Sequence, residues 1–113
     1  MSLGQTGLDL GNFLTWLSRR QEVISSNIAN ADTPGYKTRD VAAPASFSSM
    51  LQDLSLATEE TAGLASRNDG NNVSMDREAR LLSENTMRFN MATQMIRSEL
   101  RDIRSAIEEG RTS

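Results

Sequence analysis

This 113-residue chain lacks most of the side chains usually used in catalysis, because the sequence contains neither cysteine nor histidine. Disulfides, thiolate zinc sites, nucleophile dyads built on Cys or His, and His-based proton relays are therefore excluded. The adjacent pairs Glu59–Glu60 and Glu108–Glu109 could suggest a two-carboxylate hydrolase that cuts cell wall. Neighbours on one helix or one polar loop cannot face each other across a substrate, however. We interpret both pairs as solvated surface charge and expect no catalytic site, no metal and no cofactor.

A second group of polar side chains surrounds a proline–glycine pair, and its spacing favours a turn. Pro34 disfavours helical geometry at the preceding residue and suits the second position of a tight turn. Gly35 can adopt the positive φ that the third position of a type II turn requires. Short amide and hydroxyl side chains nearby can bond local backbone groups. Of the turn residues Asn27, Asn30, Thr33, Pro34, Gly35 and Tyr36, the first five follow these rules together with Asp32, and Tyr36 begins the extended chain after the turn. By themselves, these local rules explain only the end of a helix.

The segment before the turn has the pattern of an amphipathic helix. Gly4 and Gly7 lie among small polar residues, so we expect a mobile tail over residues 1–8 and a helix that begins near Asp9. Its length is roughly twenty residues, or about 30 Å. Apolar residues recur there at alternating spacings of four and three. The positions that we expect in a helix–helix seam are Leu14, Leu17, Ile24 and Ile28.

The last third of the chain carries the strongest periodic signal, a heptad pattern that runs from Met75 to Glu109. Ser74 suits the N-cap and Gly110 suits the stop, and the predicted helix is about 52 Å long. The seam residues that we expect on this helix are Leu82, Phe89, Ile96, Leu100, Ile103 and Ile107.

The middle of the chain is less informative. Apolar residues at helical spacing after Ser46 favour one short helix near residues 46–58. The polar stretch 58–72 cannot bury enough apolar surface to order itself, so we expect a floppy loop there.

These segments predict an all-α fold: two long amphipathic helices form an antiparallel, coiled-coil-like hairpin, joined by a largely irregular middle segment. We divide the chain into residues 1–40, the N-terminal helix with its turn; 41–73, a flexible middle region; and 74–113, the heptad helix, all within one domain. Two helices cover only one side of each other, so we expect neighbouring chains to complete the core. A monomeric hairpin whose middle segment folds back as a third helix is the alternative.

Composition narrows the class of partner. The chain is 37% apolar and 4% aromatic, with a formal net charge of -3. Its aromatic residues are too scattered to stack bases and its arginines alternate with acids, so nucleic acid is not an expected partner. No apolar run approaches membrane-spanning length, so we expect no membrane insertion. The N-terminus has neither a basic leader nor a sustained apolar segment, so no cleaved secretory signal is expected.

Two sequence blocks together resemble the bacterial flagellar rod and hook proteins. They are Arg20–Asp40, which contains Asn-Ala-Asp-Thr-Pro-Gly-Tyr, and Asp69–Glu78, which contains Gly-Asn-Asn-Val-Ser-Met-Asp. The resemblance implies a non-enzymatic structural subunit of the basal-body rod that assembles with copies of itself and with other rod proteins. It also implies contacts with the rod adaptor FliE and the MS-ring protein, and delivery by the flagellar export apparatus without a cleaved leader. The turn residues would then contact neighbouring subunits.

A different class of protein is the main alternative. A soluble helical adaptor or export chaperone could use the same coiled-coil seams on a soluble partner. Such a protein would form small, defined oligomers and would not need the turn residues.

Overall fold

The computed structural model of the chain describes residues 3–42, 49 and 54–112. Helix α1 spans Leu3–Ala29, strand β1 spans Arg39–Val41, strand β2 spans Thr58–Glu60 and helix α2 spans Met75–Thr112. The two helices pack against each other as an antiparallel hairpin, which confirms the expected all-α architecture. The molecule is elongated, with extents of 71 × 23 × 15 Å.

Helix α1 begins earlier than its composition predicts. Residues 3–8 are helical rather than a tail, so the helix has 27 residues. The reason is tertiary. A side chain on Gly7 would lie 3.7 Å from the Glu99 carboxylate of α2, so α2 runs directly alongside this part of α1. Most helical stability in proteins comes from such packing, which here outweighs the low helix propensity of glycine.

Helix α2 begins at the predicted cap and ends later than predicted. The backbone N–H of Arg77 donates to Ser74 Oγ at 3.3 Å, which is an N-cap bond. The helix then runs for 38 residues, through Gly110 to Thr112. Glycine ends a helix when it adopts positive φ, and among the described glycines only Gly35, Gly63 and Gly70 do so. Gly110 therefore continues the helix.

The buried face of α2 is offset from the predicted stripe. Its most buried residues have spacings of three, four and seven: Glu78, Leu81, Asn85 and Ala92. The predicted stripe lies to one side of this face. Leu82, Ile96 and Ile103 are half-buried, whereas Phe89, Leu100 and Ile107 are 38%, 60% and 54% exposed. From α1, Leu17 and Ile24 are buried, and Leu14 and Ile28 are half-buried. Within one chain, the two helices thus use only part of the expected seam.

The middle segment contains a short antiparallel ribbon. Arg39 pairs with Glu60 and Val41 with Thr58, and the N–H of Thr61 donates to the carbonyl of Thr38 at 2.9 Å. Most of the short helix expected near residues 46–58 lies outside the described residues. Residues 54–57 are irregular, and β2 begins at Thr58.

Truncation of the core should measure how strongly the hairpin depends on it. Leu17 is fully buried and Leu8, on the same helix, is 60% exposed. We expect Leu17→Ala to lower the free energy of unfolding by about 2–5 kcal/mol, because it leaves a cavity, and Leu8→Ala by less than about 1 kcal/mol. Urea unfolding followed by circular dichroism measures both. Equal losses in the two variants would contradict the packing described here.

Candidate functional site

The Pro-Gly turn has the geometry that its residues predict. The backbone N–H of Tyr36 donates to the carbonyl of Thr33 at 3.2 Å, which closes a four-residue turn with Pro34 at its second position. Gly35, at the third position, has φ +77°. A positive φ at this position defines a type II turn and favours glycine.

A second glycine turn docks against the first. The N–H of Gly70 donates to Arg67 O at 2.9 Å, and the N–H of Arg67 donates to Asn71 O at 2.8 Å. Gly70 has φ +84°, as in a three-residue loop with a glycine bulge. The N–H of Gly35 donates to Asp69 O at 2.8 Å, and a Cβ on Gly70 would lie only 3.4 Å from Gly35 Cα. We call these two loops, residues 33–36 and 67–71, the paired turns.

Asn71 locks the paired turns to the end of α1. It is fully buried, and its Nδ2 donates to Asn30 O at 2.9 Å and to Thr33 O at 2.8 Å. Its Oδ1 accepts from the N–H of Val73 at 2.8 Å. Both carbonyls also accept a backbone N–H, from Thr33 and Tyr36 respectively. The Asn71 side chain therefore adds a second hydrogen bond to each and ties the chain just after α1 to the approach to α2.

Asn27, about one helical turn before Asn30, also links several elements through its side-chain amide, and it is 1% exposed. Its Oδ1 accepts from the Tyr36 hydroxyl at 3.0 Å and from the N–H of Arg39 at 3.2 Å. Its Nδ2 donates to Arg39 O at 2.8 Å and to Glu78 Oε2 at 3.2 Å. All four bonding positions of this amide are thus used, and they join α1, the Pro-Gly turn, β1 and α2.

Asn72 ties the loop before α2 to the chain that leaves the Pro-Gly turn. Its Oδ1 accepts from the N–H of Thr38 at 2.6 Å, and its own N–H donates to Tyr36 O at 3.3 Å. Lys37 Nζ also donates to Ser66 Oγ at 3.0 Å and to the carbonyl of Gly70. The loop that was expected to be floppy is therefore bonded along its second half. We call Asn27, Asn30, Asn71 and Asn72 the amide cluster.

A row of charged groups lies beside the amide cluster. Arg20 makes a bidentate contact with Asp40, at 3.1 and 3.0 Å, and its guanidinium lies 5.5 Å from the centre of the Trp16 ring. Asp40 also lies 3.9 Å from Arg77, which pairs with the fully buried Glu78 at 2.8 Å. Because Glu78 is bonded by both Arg77 and Asn27, its charge is compensated where water cannot reach it.

The arrangement is suited to holding elements in place. Within residues 3–42 and 54–112, acidic side chains form no group of three that could hold a metal ion. No helix in the described part of the chain has the length and apolar content needed to cross a bilayer. The amide cluster instead sets the angle at which the chain leaves α1 and enters α2.

The predicted turn residues divide into two sets. The side chains of Asn27, Asn30 and Tyr36 bond within the chain and are buried or half-buried. Thr33, Pro34 and Gly35 are exposed, although Thr33 Oγ1 donates to Asn30 Oδ1 at 3.0 Å. The second set is the more accessible to a neighbouring molecule. Whether neighbouring subunits touch it stays a prediction.

Sequence reasoning missed the partners that complete the site. They are Arg20, Thr38, Asp40, Asn71, Asn72, Glu78 and Asn85. One signal was available in part. Glu78 lies directly beside a position of the heptad pattern, at the edge of the apolar stripe. Asn71–Asn72 follow an Asp-Gly pair, which favours a tight turn. Their mutual contacts depend on how the two helices are aligned, which periodicity leaves open.

An amphipathic hairpin closed by hydrogen-bonded turns, with much of its longer helix exposed, is typical of structural proteins that assemble through their helices. A family model described as "Flagella basal body rod protein" matches residues 14–37, the second half of α1 and the Pro-Gly turn. The flagellar basal body rod protein FlgB of Salmonella typhimurium is 30% identical over 122 residues, which cover 82% of this chain and 86% of that protein. FlgB of Aeromonas hydrophila is 31% identical, with coverage of 80% and 83%.

FlgB of Escherichia coli K12 is also similar, at 28% identity over 82% of this chain and 86% of that protein. The chain belongs to the FlgB family of flagellar basal body rod proteins, and it is a structural rod subunit of the flagellum. The matched segment 14–37 contains all the predicted turn residues.

Removal of the Asn71 amide should destabilise the fold far more than removal of a neighbouring amide. Asn71→Ala leaves two carbonyls and one N–H without this partner, so we expect a loss of about 2–3 kcal/mol in the free energy of unfolding. Asn68 is exposed in the same loop, and Asn68→Ala should cost less than about 0.5 kcal/mol. Thermal unfolding followed by circular dichroism makes the comparison; similar midpoints would show that the Asn71 bonds contribute little.

Two identical substitutions on the first half of the chain should have opposite effects. Gly35→Ala places a Cβ on a residue with positive φ, so we expect a loss of about 1–2 kcal/mol. Gly11 lies inside α1, and a Cβ there meets nothing within 4 Å. Gly11→Ala should therefore raise the free energy of unfolding by up to about 1 kcal/mol. Urea unfolding measures both, and a stabilising Gly35→Ala would contradict the turn geometry.

Proposed function

We propose that this chain forms part of the drive shaft of the flagellum by packing both of its long helices against those of neighbouring copies and other rod proteins. Family membership supports the proposal. The observation that carries it is the apolar stripe of α2 that the chain itself leaves uncovered. A helix in a soluble protein buries such a stripe against some partner.

The position of the stripe supports packing between molecules. Leu82 follows the buried Leu81, and so lies about 100° around the helix from it. Farther along, Phe89, Leu100 and Ile107 remain exposed while Ala92 is buried against α1. A second helix laid on this side of α2 would bury the heptad pattern that α1 only partly covers.

A second apolar surface lies on another side of α2. Met87, Met91 and Met95 are spaced by four residues and are 64%, 61% and 55% exposed. Methionine side chains adapt to irregular neighbours because they are unbranched and polarisable. The hairpin thus has two surfaces suited to two neighbouring helices, as a subunit within a helical tube requires.

A groove between the helices provides a polar feature that could fix alignment. It has a volume of about 310 Å³ and is lined by Gln21 and Asn85 together with the partly exposed Phe89. Asn85 Nδ2 donates to Leu17 O and to Gln21 Oε1, both at 3.0 Å. A buried polar pair within an apolar seam typically fixes the register of packed helices.

The remaining partners are part of the same proposal. Family membership supports contacts with the rod adaptor FliE and the MS-ring protein, and delivery to the basal body by the flagellar export apparatus. The exposed face of the Pro-Gly turn, Thr33–Gly35, offers a rigid surface for a subunit contact because its backbone is fixed by Asn71.

A charge placed in the stripe tests the proposed packing. Leu100 is 60% exposed, so Leu100→Asp should leave the helix content of the free chain unchanged. It would bury an unpaired charge in the assembled rod, and we therefore expect loss of rod incorporation and of swimming. The control is Ser105→Asp, which adds the same charge at an exposed position on another side of α2, beyond the end of the methionine surface.

Motility in soft agar and electron microscopy of basal bodies measure the outcome in cells that carry each variant as their sole copy. Rods and swimming at the parental level with Leu100→Asp would contradict the proposed role of the stripe. A soluble complex of small, defined size in place of rods would favour the adaptor alternative.

A further inference from the structure

The second half of α2 carries arginines at a coiled-coil spacing. Arg97, Arg104 and Arg111 are seven residues apart, so they share one position of the heptad and lie on one side of the helix. All three are exposed, and among the described contacts none of them makes an ion pair. We call these three residues the arginine ridge.

The arginine ridge borders the exposed part of the apolar stripe. Arg97 and Arg104 line a shallow groove of about 580 Å³ together with Leu100. Leu100 and, one heptad later, Ile107 are more than half exposed. An apolar seam flanked by charge at this position is the arrangement by which coiled coils select their partners.

This part of α2 also extends beyond α1. Glu99 lies beside Gly7, and α1 begins four residues before Gly7, at Leu3. In an antiparallel pair Leu3 is therefore level with about residue 103 of α2. Residues 104–112 lie past Leu3, the first described residue of α1, by roughly 13 Å. The exposed Arg104, Ile107 and Arg111 lie in this stretch, where a partner helix can reach both the ridge and the stripe.

A second copy of this chain does not supply the complementary charge. In an antiparallel pair of α2 helices the ridges would face each other, which sets arginine against arginine. In a parallel pair the ridge faces the residues that precede the stripe, namely Ala92, Glu99 and Ala106. Of these only Glu99 is acidic, and its carboxylate oxygens are shielded from solvent.

Helix α1 of a second copy is no better matched. Its acidic residues are Asp9 and Glu22, whose spacing does not match the seven-residue repeat of the ridge. Glu22 is moreover bonded to Arg19 at 2.9 Å.

An anionic membrane surface is also poorly matched. Residues 97–111 contain four arginines and four acids, namely Glu99, Asp102, Glu108 and Glu109, so the segment carries no net charge. Helices that bind anionic lipid carry an excess of positive charge on the polar face. The ordered placement of the arginines at one heptad position favours recognition of another helix.

We propose that the arginine ridge and the adjacent exposed stripe bind an amphipathic helix of a different protein, one that carries Glu or Asp at seven-residue spacing beside its own apolar seam. This inference rests on the proposed function and adds the chemistry of one partner. The ridge selects an acidic helix and disfavours a second α2 in the same position.

The test uses the full chain and two fluorescently labelled synthetic heptad helices. Both probes carry leucine in the seam; one carries glutamate at the flanking positions and the other lysine. Fluorescence anisotropy measures their binding to the parent chain. We expect the glutamate probe to bind about tenfold or more tightly than the lysine probe, with a preference that falls as salt is raised.

Variants of matched charge identify the residues responsible. Arg97→Gln with Arg104→Gln removes two positive charges, and Ser98→Glu with Ser105→Glu adds two negative charges at exposed positions on another side of the same helical turns. The first pair should abolish the preference for the glutamate probe and the second should keep it. Arg97→Glu with Arg104→Glu should reverse the preference.

Several outcomes would overturn the proposal: equal binding of both probes, no binding of either, equal effects of the two matched pairs, or preferential binding of the parent chain to phosphatidylglycerol vesicles. Circular dichroism of each variant checks that the helix is retained. Rod incorporation of Leu100→Asp is scored separately. If that variant fails to enter rods while the probes show no preference, packing through the stripe stands and only the acidic partner is rejected.

Discussion

The side-chain amide of Asn27 is the interaction on which the rest of the structure depends. Its four hydrogen bonds reach the Tyr36 hydroxyl, both backbone groups of Arg39 and the carboxylate of Glu78. They thereby join the end of α1, the Pro-Gly turn, the first strand and the first turn of α2. Because the Asn27 amide is buried, loss of a partner leaves one of its own polar groups unsatisfied.

The geometry of the hairpin depends on polar contacts because its apolar core is small. Among the described residues, the buried apolar side chains are few, and five polar residues are buried to a similar extent. Apolar packing tolerates sliding and repacking, whereas an amide with four fixed partners tolerates one geometry. The amide cluster and the charged row from Arg20 to Glu78 therefore set the crossing of the helices, and the apolar contacts supply the driving force.

This division of roles between polar and apolar contacts also explains why the hairpin is suited to assembly. One end is closed and rigid, with the paired turns bonded to both helices. Toward the other end, α2 presents exposed apolar and charged residues, among them Leu100, Arg104 and Ile107. A subunit built in this way can present a preformed turn to one neighbour and an open helix surface to others. It needs no large rearrangement within the bonded end.

The sequence by itself determined the two helices, the cap at Ser74 and the type II turn at Pro34–Gly35, because periodicity, caps and φ preferences act over a few residues. Only the tertiary structure decided which face of α2 is buried. A heptad pattern is compatible with burial of more than one neighbouring face of the helix. The face with Glu78 and Asn85 is the buried one because α1 supplies polar partners for these side chains. The loop around Asn71 is likewise ordered by tertiary contacts. Its polar residues look disordered alone, but they bond carbonyls that only the folded end of α1 presents.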